Sequence, residues 1–226
     1  MSLEEFKWIN TDTMSESYQR GFSWCLKAAT FATEAHKMQK RKSDDSSYMV
    51  HPLNVAAIIT NEGLFHNPLT LSAAILHDTL EDTHATSEQI EKIFGRDICD
   101  IVKECTDDKT LSKRKRKENQ ILHMTDGISY HARIVKLADK LDNLRGLLKT
   151  PPKGWSPERV KGYAAWAQRV VNAKQIYYNA EYANKVIYRL EKLLEETLLK
   201  ILGPELYLNS DDLYQKYLQD MEKSND

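Results

Sequence analysis

The 226 residues are enough for one domain with a sizeable core plus an appended helical segment. A hydrophobic content of 41%, a charged content of 29% and a formal net charge of −1 describe an ordinary globular chain, with no global pull toward nucleic acid or an anionic membrane. Three scattered cysteines without a CxxC pair argue against a disulfide framework and for a reducing, cytoplasmic setting, and neither an apolar leader nor a run near the roughly 20 residues of a membrane span is found.

Residues 1–17 are polar and read as a flexible N-terminal segment. From Tyr18 to about Gln39, Phe22, Leu26, Ala29 and Ala32 recur at helical spacing and predict a first helix. The basic, serine-rich stretch 40–47 reads as a loop, and a helix follows with Pro52 at its first position and Val55, Ile58 and Ile59 on its apolar face. Asn67-Pro68 is a cap and a first-position proline for the helix carrying Leu71, Ala74, Ile75 and the His77-Asp78 doublet. Thr86 to Gln89 fits a capping box closed by Gly95. Helices are expected over 98–106 and 113–123. Another, over 134–148, places Ile134, Leu137, Ala138, Leu141, Leu144 and Leu148 on one face. Pro151 to Gly154 interrupts the chain and Ser156-Pro157 restarts it. A long amphipathic helix over 178–202 ends at Gly203-Pro204, and a short acidic tail closes the sequence. No repeat, phosphate-binding glycine loop or strand pair is evident, so the fold class is all-α: a compact helical bundle with an additional C-terminal amphipathic helix.

The chemistry concentrates around position 77. On a continuous helix, residues four apart share a face, so His77 lies under Glu81 and Asp78 under Asp82. Three carboxylates so close repel one another unless a cation or an opening to solvent compensates. The apolar residues Ala73, Ala74 and Leu76 precede them, where charge is costly to place. A divalent-metal hydrolase needs such an imidazole–carboxylate array, and a solvated acidic helix end would look the same. His51 stands beside Pro52, where a rigid backbone can hold an imidazole, though by itself the pair reads better as a capping or core histidine. Asp139 interrupts an apolar helix, where a carboxylate is either bound to metal or paired with Lys136, Lys140 or Arg145.

Four strings carry a resemblance: residues 48–52 around His51, 74–83 around His77-Asp78-Thr79-Leu80-Glu81-Asp82, 106–109, and 135–144 around Asp139. In order and spacing they resemble the HD-domain phosphohydrolases, specifically the hydrolase domain of RelA/SpoT proteins in its small stand-alone metazoan form. The likeness spans roughly residues 20–175. It implies a compact HD-domain bundle over 18–175, with 176–226 as a C-terminal helical extension. It further implies that His51, His77, Asp78 and Asp139 bind one divalent metal, Mn²⁺ with Fe²⁺ or another divalent ion as the alternative. Glu81 and Asp82 would activate or orient the attacking water, and the substrate would be guanosine 3′,5′-bis(diphosphate), cleaved to GDP and pyrophosphate. A donor set of two imidazoles and two carboxylates suits such metals chemically.

A polyanionic substrate calls for cations. Arg41 and Lys42 immediately precede the His51 loop, while Lys109 and Asn143 match family positions facing the nucleotide. The run Lys113 to Lys117 reads mainly as a solvated helix face; nuclear entry stays open, and neither a nucleic-acid nor a membrane partner is expected. The synthetase and regulatory portions of full-length relatives have no counterpart, so alarmone synthesis is not expected. Other nucleotide phosphatase activity, such as removal of the NADPH 2′-phosphate, uses the same metal site, and a non-catalytic nucleotide sensor is the remaining alternative. In the last long helix, Ile187, Leu190, Leu194 and Ile201 predict either core packing or a homodimer contact.

Overall fold

The computed structural model describes residues 16–173 and 181–223; the expected flexible segment lies almost wholly outside them, as does the start of the helix expected from 178. The described residues form helices α1 (Glu16–Ala35), α2 (Val50–Asn61), α3 (Pro68–Leu76), α4 (Thr79–Asp82), α5 (Ser87–Phe94) and α6 (Arg96–Cys105). These are followed by α7 (Lys113–Thr125), α8 (Tyr130–Lys149), α9 (Pro157–Asn172), α10 (Glu181–Leu208) and α11 (Asp211–Lys223). Extended pairing among the described residues is limited to one isolated bridge, Lys40 with Ser47, in the loop that leads to α2. The all-α reading holds.

The expected stops and starts are built as the sequence suggests. The Asn67 side chain accepts from the Thr70 amide at 3.1 Å with Pro68 behind it. Thr86 and Gln89 close a reciprocal capping box, and Gly95, at φ 87°, ends α5. Ser112, Ser129 and Ser156 cap α7, α8 and α9. The α10 backbone breaks at Gly203 (φ 73°), where Pro204 begins a new turn. No helix among the described residues is long and apolar enough to cross a membrane.

α3 and α8 form the centre. α3 packs on α1, α2, α6 and α8, and its second half, from Ser72 to Leu76, is wholly buried, Ala73, Ala74 and Leu76 completely. α8 packs on α2, α3, α6, α9 and α10 and carries the buried Ile134, Leu137, Ala138, Leu141 and Leu144. Leu147 completes that face in place of Leu148, which is exposed. On α1, Gly21, Ala28 and Ala32 are buried whereas Phe22 and Leu26 face outward, because α1 approaches α3 through small residues. The stripe on α10, with Ile187, Leu190, Leu194, Leu198 and Leu202 buried, is used up against α8 and α9.

Two segments depart from the sequence reading. The His77-Asp78 helix is not continuous: α3 stops at Leu76, and Asp78 (φ −96°, ψ −4°) turns the chain before α4 begins. The expected acidic tail is instead α11, docked across α7 and α9 with Tyr217 and Leu218 buried. Its apolar positions Leu213, Tyr214, Tyr217, Leu218 and Met221 do recur at helical spacing, but the surrounding acids dominate the composition.

Candidate metal centre

Three separate elements deliver side chains to one point. α2 begins two residues earlier than Pro52 implies, which puts His51 in its first turn and buries it. There His51 Nδ1 lies 2.6 Å from Asp142 Oδ2, and Asp142 Oδ1 accepts from Asn54 Nδ2 at 3.1 Å. With Nδ1 donating to Asp142, Nε2 is left as the inward atom, 3.2 Å from Asp139 Oδ1 and 3.6 Å from Asp78 Oδ2. His77 is fixed the same way, its Nδ1 donating to the Ala74 carbonyl at 2.8 Å. Its Nε2 is buried without a hydrogen-bond partner, 3.1 Å from Asp78 Oδ2 and 3.9 Å from Asp139 Oδ1. Asp139, from the middle of α8, also accepts from Asn143 Nδ2 at 2.5 Å and Lys140 Nζ at 2.7 Å.

The donor atoms of His51, His77 and Asp139 lie within 4.8 Å of one another. Asp78 adjoins them and is oriented by the Tyr48 hydroxyl, which donates to Asp78 Oδ2 at 2.5 Å. This arrangement fits a divalent cation: two imidazoles present Nε2, each with Nδ1 held by an outer acceptor, and carboxylates face them. The electrostatics agree. Burial opposes charge on His51, but its hydrogen bonds to Asp139 and Asp142 push it up to about 9. Burial likewise opposes charge on His77, and the Asp78 carboxylate outweighs it to raise that imidazole. Burial works against ionisation of both carboxyls, yet His77 holds Asp78, and Lys140 with His51 holds Asp139, well below the usual carboxylate range. The pocket therefore attracts positive charge, and a metal must displace protons from the imidazoles to enter. Lys140 also satisfies the ion-pair reading of Asp139, so that residue serves both roles.

These residues line a cavity of about 340 Å³ shared with Glu81, Asp107, Lys113, Arg116, Lys117, Lys136, Lys140, Trp155, Arg159, Tyr163, Tyr217 and Met221. Glu81 Oε2 accepts the Asp107 amide at 3.1 Å, and Arg116 lies 3.7 Å from Oε1. Burial, reinforced by the Asp107 charge, raises the Glu81 carboxyl. Asp82 is turned away from this cavity by the break at Asp78. It borders an adjoining groove of about 310 Å³ with Lys40, Arg41 and Lys42, and its Oδ1 is 2.6 Å from Lys109 Nζ. Asn143, Tyr48, Trp155 and Tyr163 line both spaces, whereas Lys109 lines neither and reaches the site only through Asp82. Arg41 approaches Asp142 at 3.7 Å.

The reading of Lys113 to Lys117 as a solvated face needs correction. Lys113, Arg116 and Lys117 turn into the cavity, and Lys117 Nζ sits 3.7 Å from the centre of the Trp166 ring, where burial depresses it to about 8. Lys115 remains exposed and Arg114 pairs with Glu118 and, at 3.0 Å, with Glu222 of α11. Asp142 and Tyr48 stood inside the motif strings without an assigned role; spacing to His51 and Asp139 was the available signal. Trp155, Arg159, Tyr163, Tyr217 and Met221 carried no such signal.

Comparison with known proteins places this geometry. The HD domain model matches residues 28–170. A Xenopus tropicalis protein, guanosine-3′,5′-bis(diphosphate) 3′-pyrophosphohydrolase MESH1, is 51% identical over 147 residues, which is 65% of this chain and 82% of the relative. The Drosophila melanogaster protein of the same name is 42% identical over 175 residues, covering 76% and 96%. A solved structure described as a metazoan ortholog of SpoT that hydrolyzes ppGpp and plays a role in starvation responses superimposes with a TM-score of 0.71 at 37% identity, over 80% of this chain and 96% of that one. With the His-Asp doublet, the helical bundle and the divalent-metal pocket in agreement, this chain belongs to the HD-domain family, in the metazoan SpoT-type branch that these relatives represent.

Proposed function

We propose that this chain hydrolyses guanosine 3′,5′-bis(diphosphate) to GDP and pyrophosphate, in a site where His51, His77, Asp78 and Asp139 hold one Mn²⁺. The observation that carries the reading is the convergence of two oriented Nε2 atoms and the Asp139 carboxylate beside Glu81, at the end of a cavity lined with cations. Relatives that carry this activity in their names support it.

When bound, the divalent ion supplies Lewis acidity at a phosphate oxygen and lowers the pKa of water. Glu81 takes the proton from the attacking water. Burial and the Asp107 charge raise its basicity, which favours taking that proton, and the Asp107 amide fixes its direction. The water oxygen bonds to the phosphorus carried by the 3′-oxygen. That P–O bond breaks, the 3′-oxygen gains a proton, and pyrophosphate leaves. Asp82 orients the approach from the adjoining groove, through its pairing with Lys109. Lys113, Arg116, Lys117 and Arg159 offset the phosphate charge within the cavity, with Arg41 and Lys42 in the groove beside it. Cytoplasmic residence accords with the free cysteines Cys25, Cys99 and Cys105.

Purified protein loaded with Mn²⁺ should release pyrophosphate and GDP in equal amounts from guanosine 3′,5′-bis(diphosphate). A panel including NADPH, read for inorganic phosphate, tests the alternative substrate. Phosphate release from NADPH with none from the bis(diphosphate) would replace this reading, and no turnover with either would leave a nucleotide sensor.

A further inference from the structure

α11 lies outside the segment matched by the HD domain, yet it forms part of the catalytic cavity. Its docking is specific. Gly162 of α9 lets it approach so closely that a Cβ there would meet Tyr217 Cβ at 2.9 Å. Tyr217 is 4% exposed and meets the Tyr163 ring edge-on, with centroids 6.3 Å apart. Arg114 pairs with Glu222 at 3.0 Å near one end. At the other, Arg169 pairs with Asp211 and packs its guanidinium 4.2 Å from the centre of the Tyr214 ring. The lining differs in chemistry: imidazoles and acids at the metal site, Lys113, Arg116, Lys117 and Lys136 as cations suited to phosphates, and an aromatic cluster in which Tyr163 meets Trp155 at 5.9 Å and Tyr217 at 6.3 Å, with Met221 also lining the cavity and Arg159 packed on Trp155.

We infer that α11 is a specificity element for the reaction proposed above, with Tyr217 and Met221 contacting the nucleoside of the substrate in the lining they share with Trp155 and Tyr163. A purine offers a flat face to such a cluster, and stacking or thioether contact stabilises it without contacting phosphate. The inference rests on the proposed nucleotide substrate, but its test needs no turnover.

The test is calorimetric titration of the full-length, Mn²⁺-loaded chain with two probes, GDP, which carries a nucleoside, and inorganic pyrophosphate, which does not. Met221→Ala and Tyr217→Ala should each weaken GDP by about tenfold while pyrophosphate binding stays as in the parent. Met221→Leu should restore GDP affinity. Gly162→Ala, which moves Tyr217 and Met221 outward with α11 while leaving every lining side chain chemically unchanged, should reproduce the selective loss and guards against misfolding of the Tyr217 variant. Equal losses for both probes, or unchanged GDP affinity in the folded variants, would overturn the assignment. Absent turnover with preserved GDP selectivity would instead count against the hydrolase reading alone.

Discussion

The metal end of the cavity and its basic, aromatic rim are built on opposite principles. At the metal end each donor is held by its own local frame: His77 by the carbonyl one turn back, His51 by Asp142, Asp78 by Tyr48. The rim comes from α7, α9 and α11, which meet through long-range packing. The first region fixes the direction of each donor atom for chemistry; the second supplies charge and surface for whatever the chemistry acts upon. Substitutions should therefore separate metal retention from substrate handling.

The largest effect is expected at the metal end. Asp139→Asn removes a carboxylate that two imidazoles and Lys140 face, and should abolish stoichiometric Mn²⁺ by elemental analysis and cut turnover by at least about a thousandfold. Next, Glu81→Gln should lower kcat by about 10²–10⁴-fold with the metal still present, since only proton transfer is lost. If Glu81→Gln also emptied the site, the division between ligands and proton acceptor would fail. Asp142→Asn should weaken Mn²⁺ by about 10–100-fold, with activity regained at excess metal, because Asp142 acts by orienting His51.

The rim should give the smallest effect, and in the opposite direction on stability. Burial holds Lys117 at about 8 in the folded chain, against an ordinary lysine value of 10.5. Between those values the unfolded chain binds more protons, so Lys117 lowers stability at neutral pH and the penalty lifts as pH rises from about 8 to 10.5. Lys117→Met should raise the thermal midpoint at pH 7 by roughly 2–4 °C, with the gap to the parent narrowing above pH 8. A variant less stable than the parent at pH 7 would mean that the ring contact with Trp166 outweighs the desolvation.

Legibility in the sequence follows the same division. Caps and stops at Asn67, Thr86, Ser156 and Gly203 are local rules, and the structure obeys them. His77, Asp78 and Asp139 stood out because charge inside apolar helical runs demands an explanation, whereas His51 became legible as a ligand only through the resemblance to the HD-domain family. The break at Asp78 was not readable, since nothing in Leu76-His77-Asp78-Thr79 forbids a continuous helix, yet it sends Glu81 and Asp82 into different spaces. Lys117 looked like one of five solvated basic residues until α9 placed Trp166 against it. α11 was hidden for the same reason: its apolar positions are sparse among acids, and their destination on α7 and α9 depends on the tertiary fold.

The central claim is that water, deprotonated by Glu81 at the metal end, attacks the 3′-linked phosphorus. Turnover of guanosine 3′,5′-bis(diphosphate) in ¹⁸O-labelled water, followed by mass analysis of both products, tests it most directly. The account predicts one ¹⁸O in pyrophosphate and none in GDP. Label in the GDP ribose, or release of orthophosphate in place of labelled pyrophosphate, would contradict it.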